Sequence, residues 1–257
     1  MLALSSRAIS FGFYGAASPA QRLDGKLFDA ALEKYRGYYC SYGRSFGPAI
    51  IVVVDFAKPS NQPRLYSIDL RTGDGLDSPI RVAHGIGSDP DDDGVTDAFG
   101  NVQDSLMSSL GASRGGERYV GINGLSLRLD GLEPSNNAMR ARDIVVHSYR
   151  PDLMRYFNAA LLSMRGGRPG TSEGCFVVEP DKRDWVMDTL ENGGFLYSGY
   201  SGQLSSRPIA PPQNVTFARG TGATPPSGQL PVSGIGAGTP DTPPTAPISP
   251  APATPQR

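Results

Sequence analysis

A chain of 257 residues with a net charge of −1 and no run of Lys or Arg lacks the electrostatic footprint that a nucleic-acid partner requires. Its 39% apolar content supports a proper core, yet the longest apolar run, at 48–56, is far short of the roughly 18–20 residues that cross a bilayer, so no transmembrane segment is expected.

Residues 1–20 are mildly apolar and end in Ala16, Ala17, Ser18, Pro19 and Ala20, as a signal-peptide cleavage region does. Arg7, Gly12 and Gly15 interrupt the stretch and the basic start is missing, so it reads as a weak or degenerate signal. Asp24 followed by Leu27, Phe28, Ala31, Leu32 and Tyr35 has the spacing of a capped amphipathic helix, expected to stop at Gly37. Residues 49–56 are β-branched and bounded by prolines, the pattern of a buried strand, and 64–70 and 80–84 read as two more. Residues 118–122 and 125–129 flank Asn123 and Gly124, the dipeptide typical of a two-residue hairpin turn. A short strand at 143–147, a helix at 151–164, a strand at 175–178 and a helix at 180–190 complete the series. From 206 to 257 the chain is mostly Pro, Thr, Gly, Ala and Ser and holds 13 of the 23 prolines, a composition that cannot offset the entropy of ordering and reads as a disordered tail. The expected organisation is a mainly β folded domain over 21–205 with a few peripheral helices.

Cys175 is one of two cysteines and follows Gly170, Thr171, Ser172, Glu173 and Gly174, directly ahead of the apolar Phe176, Val177 and Val178. A small-residue turn that delivers a thiol to the start of a strand holds a nucleophile clear of a sheet. A free thiol has a pKa near ~8.5 and needs a base close by. Of the two histidines, His147 ends the apolar run Ile144, Val145, Val146. The spacing leaves two readings open, a catalytic pair or a buried cysteine and a satisfied histidine.

The blocks Val54, Asp55, Phe56; Arg64, Leu65, Tyr66 with Ile68, Asp69, Leu70; and Val82, Ala83, His84, Gly85 with Gly87, Ser88 resemble the murein L,D-transpeptidase (YkuD-like) catalytic domain. The likeness continues through Ser108 to Gly111, Tyr119, Gly121, Ser126 to Glu133, Ile144 to His147, and Ser172, Gly174, Cys175. It spans most of 50–180 and implies an L,D-transpeptidase-like β-sandwich. It also implies a cysteine acyltransferase acting on peptidoglycan stem peptides, with no cofactor required. By this resemblance Cys175 is the nucleophile, His147 its base, the backbone carbonyl of Ser148 the group that orients the ring, and the N–H groups around Gly174 and Cys175 the oxyanion donors. Ser172 and Tyr149 would line the substrate, and Arg128, Arg142, Arg150 and Arg168 are candidate clamps for its carboxylates. An amine acceptor would give transpeptidation and water L,D-carboxypeptidase activity. A wall-binding module without turnover is the alternative outside enzymes. The substrate places the protein in the periplasm or at the cell surface.

There are departures. Glu173 stands where wider-family members carry a second histidine, and Phe176 where the nearer branch commonly has proline. His84 is expected to be structural, and Cys40 a small buried apolar residue. Asp89, Asp91, Asp93 and Asp97, with Gly94 at the sixth place, match the start of a calcium loop, although Gly100 replaces the bidentate Glu at the twelfth.

Overall fold

The computed structural model describes residues 23–42, 49–73, 79–148 and 157–202; the expected signal at 1–20 and the Pro-rich tail at 206–257 lie outside them. Helix α1 (Gly25–Tyr42) opens on Asp24, whose carboxylate accepts the Leu27 N–H at 3.0 Å, a cap that stabilises by about 1 kcal/mol. Leu27, Phe28, Ala31, Leu32 and Tyr35 form its buried stripe. The helix passes the expected stop at Gly37, because the Tyr38 hydroxyl beyond it donates to the Leu132 carbonyl at 2.6 Å and ties the last turn to the domain. Cys40, expected inside, is exposed on that last turn.

The seven strands are β1 (Ile50–Asp55), β2 (Leu65–Asp69), β3 (Gly111–Gly121), β4 (Gly124–Gly131), β5 (Val145–Ser148), β6 (Phe176–Val178) and β7 (Phe195–Gly199). They form one sheet in the order β2-β1-β7-β3-β4-β5-β6, with β1 parallel to β7, β5 parallel to β6 and every other pair antiparallel. Strand β1 is buried on both faces, which explains its unbroken Ile/Val run: Ile51 and Val53 meet α1, whereas Val52 and Val54 enter the main core. That core also receives Leu65 and Leu196 from one half of the sheet and Leu127, Leu129, Val146, Phe176 and Val178 from the other. Both halves therefore bury one face against the same core, which helix α3 (Arg183–Leu190) completes with Val186, Met187 and Leu190.

Residues 80–84, expected as a strand, make only isolated bridges, but these are decisive for shape. Ile80 pairs with Leu65 on edge strand β2, and Val82 pairs with Val178 on edge strand β6, so this segment joins the two edges of the sheet. The hairpin at 118–129 exists, with Ile122 and Asn123 as the loop, because Gly121 pairs with Gly124. Strand β3 starts seven residues earlier than expected, and β7 was not anticipated at all. Helix α2 (Ala159–Met164) starts after its cap Asn158, eight residues later than the expected 151, because the Asn158 side chain accepts the Ala160 and Leu161 N–H groups and its own backbone is extended; 151–156 lie outside the described residues.

Candidate active site

The register of β3 to β6 sets out the site. Tyr119 pairs with Ser126, Ser126 with His147, and His147 with Val177, a row across four strands. Side chains alternate between faces, so this row lies opposite Leu127, Val146 and Phe176, which enter the main core. In the adjacent row Arg128 pairs with Val145, and Val145 comes level with Cys175, one residue before the paired stretch of β6. His147 and Cys175 thus stand diagonally on one face of neighbouring parallel strands. Ala83, Val145, Phe157 and Val177 form an apolar cluster with Cys175, and Tyr119 and Leu162 pack against it.

His147 is buried, and its Nδ1 lies 2.9 Å from the Ser148 carbonyl oxygen. A carbonyl only accepts, so Nδ1 carries the proton and the lone pair is at Nε2. Burial lowers the imidazole's pKa below 6.5, leaving the ring neutral at pH 7, and the Ser148 carbonyl opposes this only partly. The Cys175 thiol donates to the Asp143 carbonyl at 3.5 Å, and burial pushes its pKa up to about 11. Glu173 and Asp143 push in the same direction, while a backbone hydrogen bond from Val145 and the charge of Arg142 pull it down. The resting pair is therefore a neutral thiol and a neutral imidazole.

The turn that carries the thiol is closed by Ser172, whose hydroxyl donates to the Cys175 carbonyl at 2.8 Å and accepts the Gly174 N–H at 3.2 Å. Gly174 has φ +112°, a backbone that side chains rarely adopt, and a Cβ there would stand 2.6 Å from the Met107 carbonyl oxygen. Packing thus gives glycine a reason here, the loop behind it.

Of the candidate arginines, Arg128 pairs with Asp143 at 2.8 Å and Glu117 at 3.3 Å and stacks over Tyr119 at 4.3 Å, beside the thiol's row. Arg142 is buried, and its guanidinium donates to protein carbonyls and hydroxyls rather than facing outward. Arg168 lies against the acidic loop, bonded to the Asp92 and Arg165 carbonyls. Tyr149 and Arg150 lie outside the described residues.

His84 sits in a buried relay. Its Nδ1 accepts from Arg64 Nη2 at 2.8 Å, so its Nε2 carries the proton and donates to Asp89 at 3.0 Å. Arg64 is fully buried and also donates to the Val82 carbonyl at 2.7 and 3.0 Å and to the Lys58 carbonyl at 2.9 Å. Burial lowers its pKa to about 9. The relay fixes the segment whose Gly85 pairs with Ser172, so it underlies the thiol turn from outside the apolar cluster. Arg64 carried no sign of this in the sequence, where it read only as the first residue of a strand.

In the acidic loop the carboxylates of Asp89, Asp91 and Asp93 come within 4.8 Å of one another, and Asp97 is not part of the group. Asp89 already accepts from His84 and from the Asp93 and Gly94 amides, so the loop is closed largely by its own hydrogen bonds.

The family model described as L,D-transpeptidase catalytic domain matches residues 19–198. Among solved structures, an L,D-transpeptidase from Mycobacterium tuberculosis H37Rv is 13% identical with a TM-score of 0.36, covering 60% of this chain and 58% of its own. An L,D-transpeptidase from Mycobacterium smegmatis is 12% identical (TM-score 0.34; 60% and 59% covered). The helical cell shape determining protein Pgp2 from Campylobacter jejuni is 10% identical (TM-score 0.39; 67% and 57%). The chain thus spans less than two thirds of the length of these proteins. A comparison with the curated proteins gives no match.

Proposed function

The chain belongs to the L,D-transpeptidase catalytic domain family, and on that premise we propose that it is a peptidoglycan L,D-transpeptidase in which Cys175 forms a thioester with a stem tetrapeptide. The observation that carries this reading is the placement of Cys175 and His147 on one face of adjacent parallel strands, with the His147 tautomer set by the Ser148 carbonyl. With a thiol pKa near 11, only about one thiol in ten thousand is ionised at pH 7, so a standing thiolate cannot be the working species. General-base catalysis answers this.

As sulfur attacks the carbonyl of the L-centred residue, the S–H proton passes to His147 Nε2. The tetrahedral oxyanion forms at the Gly174–Cys175 turn and takes the Cys175 N–H as its donor, since the Gly174 N–H, expected as a second donor, is held by the Ser172 hydroxyl. Collapse breaks the C–N bond, the imidazolium returns its proton to the departing D-amino acid amine, and the acyl group remains on sulfur. An acceptor amine then gives up a proton to neutral His147 as it attacks, and the thiol is regenerated as the cross-link forms. Water in the acceptor's place gives the carboxypeptidase outcome with the same residues. Work on stem peptides places the protein outside the cytoplasm, in the periplasm or at the cell surface. No helix among the described residues is long and apolar enough to cross a membrane.

Incubation with tetrapeptide muropeptides, followed by mass spectrometry beside Cys175→Ala, tests the proposal. A thioester adduct on the wild type and new dimers linked between L-centred residues are expected. Tripeptides alone would mean hydrolysis, and retained binding with unchanged substrate and no adduct would mean a wall-binding module.

A further inference from the structure

Arg142 is the buried charge that the chemistry above leaves unused. It lies in the turn between β4 and β5, two residues before Ile144, and none of the described carboxylates is within ion-pair distance of it. Its guanidinium instead donates to the Met107 carbonyl at 2.6 Å, the Ser109 hydroxyl at 2.7 Å, the Gly100 carbonyl at 3.0 Å and, more weakly, the Ser105 hydroxyl at 3.4 Å. Burying a guanidinium is costly, and buried charges cluster where a site makes use of them.

Two further observations point to the use. A Cβ on Gly174 would meet Arg142 Nη2 at 3.3 Å as well as Met107 O at 2.6 Å, so both groups lie against the thiol turn. Met107 O is also the wrong group to face a developing oxyanion, since a bare carbonyl presents its negative end. The Arg142 bond to that same oxygen draws its charge off and sets a full positive charge behind it.

We propose that Arg142 is a positioning residue for acyl transfer: it holds the 100–109 loop against Gly174 and supplies the positive charge behind the oxyanion turn, rather than clamping a substrate carboxylate. This rests on the thioester reading above. The other charged or titratable groups around the thiol are Glu173 in its own turn, Asp143 and His147 from the β5 side, Tyr119 on β3, and Arg128 on β4, whose charge is taken up by Asp143 and Glu117. Glu173 and Asp143 oppose ionisation, whereas the charge of Arg142 favours it.

The test uses Arg142→Gln, which removes the charge, and Arg142→Lys, which keeps the charge and loses the fork. Three readouts are taken on each folded variant: the iodoacetamide rate at Cys175 between pH 7 and 9.5, resolved from exposed Cys40 by peptide mapping; kcat and KM for tetrapeptide acylation; and Tm. Arg142→Gln should slow alkylation about tenfold at every pH in that range, the mark of a thiol pKa raised by about one unit. It should lower kcat about tenfold to a hundredfold with KM little changed, because the charge acts on the transition state. Arg142→Lys should restore alkylation and recover kcat only in part.

A folded Arg142→Gln that alkylates and acylates within twofold of wild type overturns the proposal. So does a variant in which KM alone rises, since that is the signature of a substrate clamp. If Arg142→Gln does not fold, Arg142→Lys decides: alkylation slowed tenfold refutes the charge, and an unchanged kcat refutes the positioning. A wild-type protein that alkylates normally but is never acylated refutes the thioester reading instead, and the alkylation comparison still measures the Arg142 charge.

Discussion

Gly85 offers a sharp test of how the thiol turn is held. Its φ of −73° is ordinary for any residue, so the argument concerns space alone. A Cβ at Gly85 would stand 2.2 Å from the Leu106 carbonyl oxygen and 2.9 Å from both the nitrogen and Cα of Gly174. Ordinary contact begins at 3.4 Å, so the Leu106 side must yield by about 1.2 Å and the Gly174 side by about 0.5 Å. Both obstacles are backbone, and neither can swing away as a side-chain tip would. Gly85→Ala should therefore cost about 1–3 kcal/mol as overpacking, a Tm fall of about 2–12 °C for a domain of this size. A shift of this order at the turn should slow acylation up to about a hundredfold. Thermal melting and intact-mass acylation kinetics measure both. Gly37→Ala is the control: nothing lies within 4 Å of that Cβ in the middle of α1, so it should stabilise by about 0.5–1 kcal/mol. A Gly85→Ala protein that melts with the wild type and acylates at full rate would refute the packing of the Gly85 segment on the thiol turn.

Arg64→Met should destabilise by about 3–5 kcal/mol in a denaturant titration, because the Val82 and Lys58 carbonyls lose their donor and Asp89 keeps a buried charge; a loss under 1 kcal/mol would deny the relay its role. His84 and His147 both have folded pKa values lowered by burial, so between those values and about 6.5 the unfolded chain binds more protons than the native one. Stability is then full above pH 6.5 and falls as the pH drops below it, which melting curves from pH 8 to 5 will show as a declining Tm. The same lowering of His147 places the acid limb of the acylation rate below pH 6.5, and a limb above 7 would contradict a neutral buried imidazole. The acidic loop, with Asp89 already engaged, should bind calcium no more tightly than about millimolar, so 1 mM calcium should add about 0.4 kcal/mol and move Tm by about 1 °C; a rise of several degrees would show a competent site.

Much of the fold was legible because its signals are local. The Ile/Val run of β1, the Asp24 cap and the Asn123–Gly124 hairpin each announce an element within a few residues. Strand β7 was not, although it lies near the middle of the sheet between β1 and β3. Phe195 to Gly199 is short and ends in Ser and Gly, and its stability comes from two partners more than 80 residues distant in sequence. The end of α1 escaped for a similar reason: local propensity stops it at Gly37, and a contact from Tyr38 to Leu132 carries it on. In the site, Cys175 and His147 stood out by scarcity and position. Arg64 did not, and Arg142 was expected only as a carboxylate clamp, because a buried arginine and a solvated one look alike until their carbonyl partners, gathered from distant loops, are in place.

The short strip from Ile80 to Gly85 touches the edge strand β2, the edge strand β6 and the thiol turn in succession. Exposed sheet edges are templates for pairing with other chains, and here one stretch of backbone bridges one residue of each. The strip that bridges both edges is also the one that backs the Cys175 turn. Damage to it should therefore be doubly visible, as lost turnover and as a tendency to self-associate, and substitutions selected for solubility at this strip will be read out at Cys175 as well.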